Sequence, residues 1–172
     1  KLVDKLNGTI EVNSKKNVGT DIKVCMTFAI GEEIKYDNPA ENHFSLEGLR
    51  ALVVEDNELN TEVVKFFLEN NGIIVDCVED GVQALECFEK SNPGYYAMIL
   101  MDVLMPRMNG LEATRRIRTL QRKDASSIPI IALSANAFSD DIMRGKLAGM
   151  NDYLAKPLDE KLLIRTIRKC LK

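Results

Sequence analysis

Tryptophan is absent from the 172 residues, and His43 is the only histidine. A single imidazole argues against a zinc site and against a His-based catalytic triad. The four cysteines, Cys25, Cys77, Cys87 and Cys170, never fall at C-x-x-C spacing. They read as reduced thiols of a cytosolic protein, since a metal site needs clustered ligands. No apolar run approaches the length of about 20 residues that a membrane span requires. Residues 1–7 have neither the apolar core nor the cleavage site of a signal peptide. A basic excess is also missing: the net charge is −3, against the usual balance of a nucleic-acid binder. Internal repeats and low-complexity tracts are absent.

What is there is enough apolar material, 45% of residues, for a real core. From position 49 onward, short apolar runs alternate with longer amphipathic stretches, the pattern of a parallel sheet covered by helices. The spacing predicts strands at 49–54, 73–78, 97–101, 128–133 and 153–154. It predicts helices at 59–70, 82–90, 111–121, 139–148 and 160–171. Several strands are nearly continuous in apolar residues, as expected for burial on both faces. The first 30 residues differ. Leu2, Val3 and Leu6 look like a helix end stopped by Asn7-Gly8, and residues 9–13 and 21–30 alternate as a β-hairpin. Such a piece is too small to bury its own core, so the chain is expected to start inside a domain. Residues 31–46 are polar, carry Pro39, and read as a linker. The expected division is therefore 1–30, a linker at 31–46, and 47–172.

Ligand sites of open α/β sheets lie at the carboxyl ends of the strands. Here those ends carry Glu55-Asp56, Asp102 and Ser134, and Lys156-Pro157 follows the last strand. Three converging carboxylates repel one another and invite a divalent cation. All-oxygen ligands favour Mg2+. A nearby lysine and a hydroxyl could bind phosphoryl oxygens. The set suits phosphoryl transfer to Asp102, a nucleophile already ionised at neutral pH.

Four stretches carry a resemblance: Val53-Val54-Glu55-Asp56-Asn57, Met101-Asp102-Val103-Leu104-Met105-Pro106, Leu133-Ser134-Ala135-Asn136-Ala137 and Tyr153-Leu154-Ala155-Lys156-Pro157. In this order they resemble the response-regulator receiver family. The resemblance implies a flavodoxin-like (βα)5 doubly wound parallel sheet with strand order 2-1-3-4-5. It implies Asp102 as phosphoacceptor, Asp56 as direct Mg2+ ligand and Glu55 as a ligand through water. The backbone carbonyl of Leu104 would be a further ligand, and Lys156 would bridge to Asp102 and the phosphoryl group. Ser134 would be the switch hydroxyl and Tyr153 the aromatic switch. Together they would alter the surface of the fourth helix, fifth strand and fifth helix. The alternatives are an incidental loop hydroxyl and plain edge-strand packing. The implied donor is a phosphohistidine, on a histidine kinase or a histidine-phosphotransfer protein.

Residues 2–30, above all Leu6-Asn7-Gly8-Thr9-Ile10-Glu11-Val12, are similar to the last strands of a histidine-kinase ATP-binding domain. A kinase end, linker and receiver form the order of a hybrid sensor kinase, cytoplasmic here and possessing any membrane anchor upstream. The fragment lacks the kinase's histidine, Asn helix and ATP lid, so it is expected neither to bind ATP nor to act as a kinase. Nucleic acid and membrane are not expected partners. Two rivals are a degenerate receiver serving only for interaction and an aspartyl-nucleophile phosphatase. The second needs an acid two residues after the nucleophile, where this chain has Leu104. His43 lies in the linker, away from any helical dimer pattern. Arg115, Arg116, Arg118, Arg122 and Lys123 read as a solvated helix face. Leu59, Val63 and Phe66 form a second apolar stripe on the first receiver helix, beside the core stripe of Val64, Phe67 and Leu68. It is a candidate partner-docking patch; burial, or contact with the amino-terminal piece, is the alternative.

Overall fold

The computed structural model describes Val3 and residues 8–27, 45–135 and 139–172. The chain divides into two units, residues 1–42 and 43–172. In the first, β1 (Thr9–Lys15) and β2 (Gly19–Cys25) pair antiparallel, with Thr9 opposite Cys25 and Lys15 opposite Gly19. Alternation puts Ile10 and Val12 on one face with Val24 and Ile22, and all four are exposed. Both strands run closer to the turn than the alternation suggested. Asn17 takes a φ of 63°, a left-handed conformation Asn tolerates, so residues 16–18 close the hairpin. The Ser14 and Thr20 hydroxyls then bond across it at 2.8 Å. The expected helix end at Leu2 and Leu6, residues 28–30, His43 and most of the linker lie outside the described residues.

The second unit alternates strand and helix: β3 (Arg50–Val54), α1 (Glu58–Glu69), β4 (Ile74–Val78), α2 (Gly81–Lys90), β5 (Met98–Asp102), α3 (Gly110–Thr119), β6 (Ile130–Ser134), α4 (Ser139–Ala148), β7 (Asp152–Ala155) and α5 (Glu160–Cys170). The five strands are parallel in the order β4-β3-β5-β6-β7, the expected 2-1-3-4-5 when counted within this unit. Polar side chains start the helices. Asn57, Asn109 and Asp159 each accept the N–H three residues on, at 3.1, 2.9 and 2.8 Å. Strand β6 begins at Ile130 and not at 128, because Pro129 has no N–H to give the ladder. Its carbonyl still accepts from Ile99 at 2.8 Å.

Alternation along the buried strands splits the core in two. Leu52, Val54, Ile99, Met101, Ile130 and Ala132 face α2 and α3, meeting Ala84, Phe88, Ala113 and Ile117. Ala51, Val53, Met98, Leu100, Ile131 and Leu133 face α1 and α5, meeting Val64, Leu68, Leu163 and Ile167. Strands buried on both faces cannot shift register without exposing one set, which fixes where their carboxyl ends fall.

Arg118 and Arg122 depart from the solvated face expected of them. Arg118 bonds the carbonyls of Ala125 and Gly149 and the side-chain oxygen of Asn151 at 2.8 to 3.0 Å. Arg122 lies over the Phe88 ring, bonds the Phe88 carbonyl and pairs with Asp124 at 2.6 Å. Hydrogen bonds from Arg122 pull the Asp124 carboxyl down to about 2, against the opposing effect of its burial, and the Gly94 amide adds to the pull. A depressed carboxyl stabilises the fold above its ordinary pKa and loses that contribution as pH falls from about 4 to 2. Asp124→Asn is therefore expected to cost about 1 kcal/mol at pH 7, discounted for solvent screening. The difference should shrink as pH falls from about 4 and vanish only below pH 2, as read from urea unfolding midpoints across that range.

Candidate functional site

Strand β3 ends at Val54, so Glu55 and Asp56 emerge at the carboxyl edge beside Asp102, the last residue of β5. Glu55 is 2% and Asp102 6% exposed, whereas Asp56 is open to solvent. One carboxylate oxygen from each lies within 4.8 Å of the others. Lys156, just past β7, reaches across two strands to this group. Its Nζ donates to Asp102 Oδ2 and to Glu55 Oε2, both at 2.6 Å. Burial lowers the Lys156 pKa, but hydrogen bonds and charges from Asp102 and Glu55 outweigh it, so the ammonium titrates above its ordinary value. It is therefore charged throughout the neutral range. The other oxygen of Asp102, Oδ1, accepts the Leu104 N–H at 3.1 Å. Gly110 makes room for this turn, since a Cβ there would overlap the Asp102 carbonyl oxygen.

Asn60 went unnoticed in the sequence. Its amide donates to Glu55 Oε1 at 2.8 Å, so both oxygens of Glu55 are held. The one available signal was its position on the first turn of a helix capped by Asn57.

Ser134 ends β6 and is 5% exposed; its carbonyl accepts the Lys156 N–H at 2.8 Å. Tyr153 pairs with Ala132 in register and so shares a sheet face with Ser134. The Tyr153 ring lies against α4 at Gly145, where any Cβ would overlap its hydroxyl. Leu104 turns its side chain outward, 69% exposed. Leu59, Val63 and Phe66 are 74%, 40% and 60% exposed along α1, while Val64 and Leu68 are buried. Asn136 and Ala137 lie outside the described residues. The structure thus brings Glu55, Asp56, Asp102 and Lys156 together, with Ser134 and Tyr153 on the neighbouring strands.

Three carboxylates offering only oxygen, already partly balanced by an ammonium, fit a small hard divalent cation. Glu55, Asp56 and Asp102 would hold Mg2+ there. Such a trio beside a lysine, at the carboxyl edge of a doubly wound sheet, suits a carboxylate that takes up a phosphoryl group.

The chain belongs to the response regulator receiver domain family, which it matches over residues 51–168. A peroxide stress-activated histidine kinase of Schizosaccharomyces pombe is 37% identical over 131 residues, 76% of this chain and 8% of that protein. The chain thus spans less than a tenth of that relative's length. The receiver domain of a Pseudomonas aeruginosa sensor histidine kinase, crystallised with magnesium in its active-site cleft, is 40% identical with a TM-score of 0.65. That match covers 72% of this chain and 98% of the other. The Saccharomyces cerevisiae receiver domain of Ssk1, crystallised with the histidine phosphotransfer protein Ypd1, is 28% identical. Its TM-score is 0.65, over 72% of this chain and 89% of the other. Among the described residues, no helix is long and apolar enough to cross a membrane.

Proposed function

We propose that Asp102 takes a phosphoryl group from a phosphohistidine, within a phosphorelay run by a hybrid histidine kinase whose receiver lies in the cytoplasm, any membrane anchor being upstream. The observation that carries this reading is Lys156, bonded at once to Asp102 and Glu55 at the mouth of the acidic cleft. An Asp102 oxygen attacks phosphorus, the phosphorus–nitrogen bond breaks, and the electron pair leaves on the imidazole, which is protonated from solvent. An acyl phosphate results. Asp102 is held for this attack by Leu104 N–H on one oxygen and Lys156 on the other. Asp56 and Asp102 would hold Mg2+ directly and Glu55 through water, with the Leu104 carbonyl as a further ligand. When bound, the metal neutralises phosphoryl charge. Lys156, bonded to Asp102 Oδ2, would add its own positive charge to the same end.

Ser134 then meets the phosphoryl oxygens, and Tyr153 relays the change to the surface of α4, β7 and α5. Residues 1–30 are read as the end of a kinase ATP-binding domain, joined by residues 31–46 to the receiver at 47–172. Docking is assigned to Leu59, Val63 and Phe66, a stripe that starts one turn after Asp56. The yeast receiver crystallised with a histidine phosphotransfer protein supports a partner of that kind. Phe66→Asp is expected to slow phosphotransfer between Asp102 and a phosphohistidine partner about tenfold or more, since exposed aromatic anchors often dominate binding. Phosphorylation by a small phosphodonor should stay near parental rates. Rapid-quench assays of both routes test this, and loss of neither would move the docking site elsewhere.

A further inference from the structure

The loop from Val103 to Asn109 follows the acceptor directly, and it is fastened from outside the acidic cleft. Arg107 within it has a φ of 60°. Left-handed backbone costs a residue with a Cβ about 1–2 kcal/mol and persists only where the surroundings impose it. Here the Arg107 guanidinium pairs with Oδ2 of Asp80, whose side chain is 1% exposed. That oxygen is buried and meets no other donor among the described residues. Arg107 is the one cation within ion-pair distance of it among the described residues. The other oxygen of Asp80 caps α2, accepting the Val82 and Gln83 amides at 2.7 and 3.0 Å. One residue further along each segment, the Gly81 N–H donates to the Met108 carbonyl at 3.1 Å. A Cβ on Gly81 would overlap that same carbonyl, so the approach needs glycine.

Two adjacent loop residues are thus fastened to two adjacent residues at the start of α2. At its other end the loop is tied to the acceptor itself, through Leu104 N–H and Asp102 Oδ1. Gly110 N–H closes it onto the Val103 carbonyl at 3.1 Å. The segment between, residues 104–106, has both ends fixed.

We infer that Asp80 and Arg107 form a latch that sets the acceptor loop in the geometry for metal binding, making Arg107 a positioning residue for phosphoryl acceptance. The inference rests on the reading of Asp102 as acceptor with the Leu104 carbonyl as a metal ligand. Outer partners that orient metal ligands commonly change affinity by tenfold or more when removed. Removing Arg107 alone also strands a buried carboxylate, which by itself destabilises the fold. Asp80→Asn separates the two effects: it keeps a capping oxygen for α2 and leaves no buried charge.

The test titrates Mg2+ into the whole chain, following the backbone amide signals of Val103, Leu104 and Met105, beside thermal melts. Arg107→Ala should weaken Mg2+ binding about tenfold and move the Leu104 amide signal, and Arg107→Lys should recover most of the loss. The double variant Asp80→Asn, Arg107→Ala should melt close to the parent yet still bind Mg2+ weakly. Parental Mg2+ affinity in that double variant would overturn the latch and leave Arg107 a purely stabilising charge. A parent that binds no Mg2+ would instead sink the acceptor-site reading beneath it.

Discussion

Asp102→Asn is expected to abolish uptake of the phosphoryl group while leaving the fold intact. Both oxygens of Asp102 are already engaged, Oδ1 by the Leu104 amide and Oδ2 by Lys156. An asparagine can keep the first contact through its carbonyl oxygen. It cannot keep the second, because its NH2 would face the Lys156 ammonium donor to donor. An amide is also a poor nucleophile, so nothing remains to attack phosphorus. Stability should hold or rise, since one of three carboxylates gathered within 4.8 Å has been neutralised. Intact-mass spectrometry after incubation with a small phosphodonor and Mg2+ should detect one added phosphoryl group on the parent and none on the variant. Equal uptake by the two would remove Asp102 from the mechanism.

Asp56→Ala should have the largest effect on the metal, lowering Mg2+ affinity about a hundredfold. The three carboxylates are not equivalent. Glu55 gives its oxygens to Asn60 and Lys156, and Asp102 gives its own to Leu104 and Lys156. Asp56 is exposed, and no hydrogen bond or ion pair holds its carboxylate among the described residues. It is the ligand that can turn to a cation without giving up an existing bond. Without it, two committed carboxylates already share one ammonium, and little charge is left to draw Mg2+ from its hydration shell. Isothermal titration of both proteins decides the matter. Parental affinity in Asp56→Ala would place the metal elsewhere.

The strands and the acidic cleft could be read in the sequence because each leaves a local trace, whereas the strand order came only through the resemblance to receivers. A doubly buried strand is an apolar run, and its last residue marks where a carboxylate must emerge. That logic found Glu55, Asp56, Asp102 and Lys156, and it put most helix ends within a residue or two. It could not find Asn60, since a polar residue on a first helical turn looks the same whether it meets water or Glu55. Nor could it separate Arg118 and Arg122 from Arg115 and Arg116. Periodicity reports which face of a helix is buried, and α3 stops at Thr119, before Arg122. The carbonyls these arginines reach belong to distant segments, and no linear pattern announces them. The pairing of Asp80 with Arg107 is hidden for the same reason.

Arg118 also has a mechanical consequence. Its guanidinium grips the carbonyl of Gly149, the first residue past α4, at 2.9 and 3.0 Å. It also binds Asn151, which in turn bonds the first amide of β6 at 2.8 Å. The carboxyl end of α4 is therefore nailed to the frame, and a rigid tilt of that helix has its fulcrum there. Ten residues make a lever arm of about 15 Å. A tilt of about 10° would carry the Ser139 end through about 2.5 Å while Gly149 stayed nearly still. Displacement would be greatest at the end that follows Ser134 and would fade steadily along α4, so a change at the cleft would move the near turns of the helix and be silenced at its far end.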